Sequence, residues 1–250
     1  MTTKTAFLAL LLSPVLLVPV LAQAESEDLK TLQGATTANE WHLSKYDATH
    51  RIKSYQKRED GKSIRSFKLD YIVDANIEKV GKVYLDVRKW TRWWWKVKEA
   101  KMIKEVSARE FIFYIAHRAP VANPDRDVVL RATIEPYNAK TKSATLTIRA
   151  VAGFVPIKQG HVRMVAEDMV AKFTALDDSH TRVELEGYID PGGNMPGWSI
   201  NFIQRQAPYY TALALQRMVN IDTLYDKDDS DDTESNDNGT HPVYSLRINK

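Results

Sequence analysis

The sequence predicts an α+β domain in which a curved antiparallel β-sheet wraps around one long C-terminal α-helix. Three observations carry this. Strand-like segments run from Arg51 to Ile189 and are broken once by a helical repeat. Several of them alternate apolar and polar residues, the mark of a sheet with one dry face and one wet face. Lastly, a Gly-Gly turn at 192–193 leads into a long segment with a broad apolar surface. With 250 residues, 44% of them hydrophobic, the chain can build one domain with a large core.

At the N-terminus, Lys4 precedes an apolar run from Ala6 to Leu21, followed by Ala22-Gln23-Ala24 and Glu25. A basic start, a short apolar run and a small-x-small site describe a secretory signal peptide over 1–24, cleaved after Ala24. Pro14 and Pro19 interrupt the run, which is short of the ~20 residues a membrane span needs; a retained anchor is the alternative. The expected location is periplasmic or secreted. The absence of cysteine means that stability there must come from the core without disulfides, and it excludes thiol catalysis and cysteine zinc sites.

Residues 25–39 read as a polar linker or short helix, and 40–222 as the folded domain. Arg51–Lys57 and Ser63–Val73 form a hairpin around the turn signal Glu59-Asp60-Gly61. Ile77–Val87 has apolar Ile77, Val80, Tyr84 and Val87 at helical spacing, with Asp74 as the expected N-cap. Strands follow at Ala100–Val106, Glu110–Arg118, Asp127–Glu135, Ala144–Val151, His161–Leu176 and Thr181–Ile189. In two of them the alternation assigns faces: Val128, Leu130, Ala132 and Ile134 oppose Val129, Arg131, Thr133 and Glu135, and Val183, Leu185 and Ile189 oppose Arg182, Glu184 and Glu186. The last helix opens at Pro196 and runs to about Asn220, with Pro208 expected to kink it. Residues 223–250 read as a disordered tail, because Asp226–Asp237 holds seven acidic residues against one lysine. The net charge is only +3, so nothing in the composition asks for nucleic acid; the basic body could be drawn weakly to anionic head groups.

Three stretches resemble one known family. Asp125-Arg126-Asp127-Val128 is similar to a strand opening that follows a Pro-containing loop, here Ala119-Pro120 to Pro124. Asp86–Lys101, with its tryptophan run, resembles a Trp segment that leads into a strand. Asp190-Pro191-Gly192-Gly193-Asn194-Met195-Pro196-Gly197-Trp198 is close to a turn into a lid helix. In this order the stretches resemble the START (StAR-related lipid transfer) domains of the helix-grip, or Bet v1-like, superfamily, over about residues 40–222. The resemblance implies a sheet that grips the C-terminal helix around a tunnel for one lipid, and binding or transfer rather than chemistry. Some sterol-carrying members place an acid and an arginine in the tunnel; the ungapped correspondence puts those positions at Ile115 and Ala132, with Arg131 on the opposite face. His117 and Tyr114 are the candidates left to meet a polar head.

The expected ligand-lining residues are Phe113, Ile115, His117, Leu130, Ala132, Ile148 and Met164 from the sheet, with Trp198 and Phe202 from the helix. Trp93, Trp94 and Trp95 are expected at a tunnel mouth or membrane contact, since indoles favour membrane–water interfaces. Arg126 and Asp127 read as a structural pair at a strand start. The expected partner is a lipid or other hydrophobic small molecule, with transient membrane-surface contact, no nucleic acid, no cofactor and no metal, in a monomer. Two alternatives stand beside this: a cyclase- or hydrolase-like helix-grip enzyme, although no Gly-x-Ser-x-Gly or His-Glu-x-x-His is present, and a scaffold whose pocket is filled by its own side chains.

Overall fold

A computed structural model describes residues 39–120, 123–228 and 245–246. The expected signal peptide and most of the linker and tail lie outside the described residues. The elements are β1 (His42–Asp47), β2 (Ile52–Lys57), β3 (Ser66–Val73), α1 (Ile77–Leu85), a 3-10 turn at Val87–Lys89 and α2 (Trp90–Trp93). They continue with β4 (Val97–Ser107), β5 (Glu110–His117), β6 (Asp125–Asn138), β7 (Ser143–Ala150), β8 (His161–Arg163), β9 (Ala166–Ala175), β10 (Thr181–Asp190) and α3 (Gly197–Asp228).

The strands form one curved sheet in the order β1-β2-β3-β10-β9-β7-β6-β5-β4, with β8 joined in parallel to β6. Every pairing along the main path is antiparallel. Residues that alternate inward along β5, β6, β7, β9 and β10 make the core, and Phe113, Ile115, Leu130, Ala132, Phe173 and Val183 are fully buried. Three register shifts between β4 and β5 bend that edge, as bulges do. β4 also carries Lys98, Lys101 and Lys104, charges of the kind that discourage edge-to-edge pairing.

Four local details differ from the expectation. Helix α1 is capped by Asn76, whose side chain accepts from the Lys79 N–H at 2.9 Å, because Asp74 is held instead by Arg51. The expected strand 161–176 is split at Met164 and Val165, where the chain leaves β6 and joins β10: the Met164 N–H donates to Asp127 and the Val165 N–H to Asp190, both at 2.9 Å. An additional strand, β1, forms at the edge, where Tyr209 of α3 donates to Asp47 at 2.6 Å. The expected disordered tail contains Leu246, which is buried at 1% exposure within the core, and the Tyr137 N–H donates to its carbonyl at 2.8 Å. This short apolar segment beyond the acidic run docks on α1 and β6.

The outer face of the sheet is not uniformly wet. Ile112, Tyr114, Ala116 and Val129 form a second buried cluster with Val151 and Val155. Asp127 stands beside it, fully buried, and accepts from Arg163 Nε at 2.8 Å and Nη2 at 3.2 Å, from the Tyr114 hydroxyl at 3.3 Å and from the Lys158 N–H at 3.3 Å. Burial alone would raise the Asp127 carboxyl, but the bonds and charge of Arg163, the Lys158 N–H and the Tyr114 hydroxyl together outweigh it and hold it below its ordinary value. The network staples the 151–160 loop to the sheet.

Candidate functional site

The tryptophan run is a packing device. Trp90 and Trp94 stack at 3.9 Å, Tyr84 meets Trp93, Trp94 and Phe173 edge-on or tilted, and Trp90 packs on Phe113 at 5.3 Å. The Trp90 indole donates to the Tyr84 carbonyl at 3.0 Å. Trp93 and Trp94 are therefore buried, at 6% and 7% exposure, rather than displayed on the surface. A left-handed turn at Lys96, φ 57°, then directs the chain into β4 and leaves Trp95 half-buried.

These aromatics cover one half of the sheet's inner face, which explains the fate of five expected pocket residues. Phe113, Ile115, Leu130, Ala132 and Ile148 are all within the packed core and are not among the walls of the cavity under α3. The open space lies under the other half, beneath α3. The cavity volume is about 90 Å³.

Its walls come from many elements. The sheet supplies Phe67, Met169, Leu185 and Ile189; Met164, Trp94, Trp95 and Pro191 close the sides; α3 supplies Ile200, Ile203, Gln204, Ala207, Pro208 and Thr211. Of the expected residues, the structure brings together His117, Met164, Trp94 and Trp95 here. It turns Trp198 and Phe202 outward, at 75% and 57% exposure. The inward stripe is Ile200-Ile203-Gln204-Ala207-Thr211, and a residue two places from Ile200 stands roughly 200° around the helix.

The polar groups of the cavity are gathered at the β5–β6–β9 end. His117 on β5 stands opposite Arg126 on β6, and its Nε2 is 3.0 Å from Glu167 on β9, a carboxylate with 2% exposure. Burial works against a charged His117, but the Glu167 charge, their hydrogen bond and the Trp95 carbonyl together raise its pKa. Arg126 and Asp127 are not a pair: strand alternation sends Asp127 outward and Arg126 into the cavity. Arg126 is 5% exposed, and its Nη1 donates to the Pro124 carbonyl at 2.5 Å. Gln204 on α3 donates to the Ile189 carbonyl at 2.9 Å. Tyr114, the other expected polar candidate, faces outward to Asp127. Among the described residues no group of acids and histidines is placed to hold a metal ion.

Among the pocket residues that the sequence reading missed or set aside are the polar Glu167, Arg126 and Gln204, beside apolar walls such as Phe67, Leu185 and Ile203. Each polar one carries a faint signal. Glu167 continues the inward alternation of Met169, Ala171 and Phe173, and Gln204 interrupts an apolar helical stripe.

A sheet gripping a helix over an apolar pocket with a few buried polar groups defines the helix-grip class. The chain belongs to the START domain family, whose model matches residues 21–207. A STAR-related lipid transfer protein fragment from Xanthomonas axonopodis has the same architecture, with 26% identity, 72% of this chain and 98% of that one covered, and a TM-score of 0.65. Human STARD10 shares the fold at 15% identity, covering 81% and 82%, with a TM-score of 0.68. An uncharacterized protein of Pseudomonas aeruginosa, PA1579, is 24% identical over 185 residues, 73% of this chain and 88% of its own length.

Proposed function

We propose that this protein binds one lipid-like molecule in the pocket under α3, for transfer or storage outside the cytoplasm, and carries out no chemistry on it. The observation that carries the reading is the pocket itself: a largely apolar chamber roofed by one helix, with its polar groups confined to one end, the arrangement of a ligand site. Membership of the START domain family supports lipid binding in general, and the Xanthomonas relative is by name a lipid transfer protein. Hydrocarbon burial would supply the driving force, at about 0.8 kcal/mol per methylene. The space suits a single chain segment, so a larger lipid requires α3 to move outward, with Pro208 at the pocket wall as the place where its hydrogen-bond ladder is already broken.

His117 favours binding over catalysis. Its ring is engaged by Glu167 and by the Trp95 backbone, which leaves it poorly placed as a free base for a substrate. Membrane contact, expected at the tryptophan run, suits Trp198 and Phe202 instead: they stand one turn apart on the exposed face at the start of α3, beside the pocket they would deliver to.

The test is native mass spectrometry of the full chain, with solvent extraction of what it carries and accurate mass of its N-terminus. One bound lipid per protein and a mass matching cleavage after Ala24 are expected. Ala207→Trp, which fills the cavity from α3, should remove the bound lipid while leaving the far-UV spectrum intact. A chain that carries nothing and takes up nothing from a total lipid extract would overturn the reading in favour of a filled scaffold.

A further inference from the structure

The buried end of the pocket holds a cation, Arg126, without an ion-pair partner among the described residues, with the charge of Asp125 acting on it only at longer range. The nearest acid in sequence, Asp125, is already engaged by Lys98 and by the Ala119 N–H. Asp127 points through the sheet to Arg163, and Glu167 is matched by His117. The guanidinium is nevertheless buried, and its Nε–H has no acceptor. Its Nη2 reaches toward the turn before α3, where a Cβ on Gly193 would stand 3.7 Å away. Gly193 has φ 68°, a left-handed conformation that suits glycine. Across the same cavity the Gln204 amide is oriented by its bond to Ile189, which leaves Oε1 buried and without a donor.

Such groups are costly. A buried arginine stays protonated, and a buried donor without an acceptor forfeits its hydration without return. The most direct way to restore both is a ligand that brings the missing acceptor and negative charge while its tail fills the apolar remainder. Exposed Arg118 at the rim adds positive potential along the way in. A quaternary-ammonium head group would meet the opposite arrangement.

Building on the lipid-binding reading, we propose that the occupant is a single-chain amphiphile with an acidic head, a carboxylate or phosphate monoester, whose oxygen accepts from Arg126 Nε and whose chain runs under α3 between Phe67, Leu185 and Ile203. Gln204 Oε1 accepts from a hydroxyl on the same head group where one is present. Arg126 thus sets head-group selectivity, and the apolar walls set affinity for the chain.

The experiment compares decanoate, decyl phosphate, decanol and decyltrimethylammonium on the full protein by isothermal titration, with Arg126→Gln and Arg126→Lys alongside. The wild type should bind decanoate and decyl phosphate at least about tenfold more tightly than decanol, the scale of a hydrogen bond to a charged partner, and the ammonium most weakly. Arg126→Gln should abolish that preference, with a far-UV spectrum like the wild type's reporting that the variant is folded; Arg126→Lys should retain part of it. Equal wild-type affinity for decanoate and decanol overturns the acidic-head inference and leaves lipid binding standing. Selectivity that survives in Arg126→Gln also overturns it. Failure of all four probes to bind refutes both the inference and the lipid-binding reading beneath it.

Discussion

Leu246 offers the most demanding test of the packing described here, because a glycine on α1 is matched to it. A Cβ built on Gly81 would lie 2.7 Å from Leu246 Cγ, 2.9 Å from Cδ1 and 3.4 Å from Cβ. Leu246 is itself 1% exposed, so Leu246→Ala should cost about 2–5 kcal/mol, as for other fully buried leucines. Gly81→Ala involves two opposing effects. Alanine in a helix interior gains about 1 kcal/mol over glycine, while forcing a methyl into an occupied site costs about 1–3 kcal/mol. In the wild-type background the clash should win and the variant should be destabilised. In the Leu246→Ala background the two offending atoms are gone and the remaining 3.4 Å neighbour is close to ordinary contact, so Gly81→Ala should stabilise. Urea unfolding of the four members of this cycle on the full chain measures the difference directly. An equal effect of Gly81→Ala in both backgrounds would refute the docking of Leu246 on α1.

Two further outcomes follow from individual contacts. Glu59 has its pKa lowered to about 2, chiefly by the Lys62 hydrogen bond and then by Ser66. A carboxylate lowered on folding stabilises above its unfolded value near 4.5, and that contribution fades as the pH falls toward 2. Glu59→Gln should therefore be less stable than wild type at pH 6 and converge with it near pH 2 in thermal melts; a constant gap would show that the loss is one of shape. Phe202→Asp, on the outer face of α3, should leave lipid occupancy unchanged while reducing sedimentation with anionic vesicles. Loss of occupancy would place that side chain in the pocket.

Much of the fold was legible because it is written in local periods. The inward faces of β6 and β10 follow from two-residue alternation, and α1 from its 3.6-residue spacing. What local pattern cannot encode is which apolar residue faces another across the interior. Trp198 and Phe202 made the start of α3 look apolar, yet the inward stripe begins at Ile200, and that phase is fixed by distant tethers. Gln204 bonds to Ile189, and Gln216 to the carbonyls of His50 and Ile72, both at 2.8 Å. Tyr209 on the same helix reaches Asp47. Likewise the tryptophans looked interfacial by type, but Tyr84 and Phe173, 89 residues apart in sequence, converge to enclose them. The tail was read as uniformly disordered because seven acids dominate its composition; one leucine beyond them was too weak a signal against that average.

The dipeptide Arg126-Asp127 shows why the site was harder to read than the fold. As neighbours of opposite charge they suggest mutual neutralisation. On a strand, consecutive side chains leave by opposite faces, so they cannot satisfy one another and each needs its own partner. Asp127 finds one within the protein, in Arg163 some 36 residues on, and with it closes the outer loop. Arg126 finds a carbonyl for one nitrogen, while its Nε has no acceptor among the described residues. A structural role for both would have called for a second acid on the inner face, and Glu167, the acid that is there, stands against His117. The asymmetry divides the strand opening into a half that holds the fold, Asp127, and a half, Arg126, to which the acidic head group proposed above is assigned.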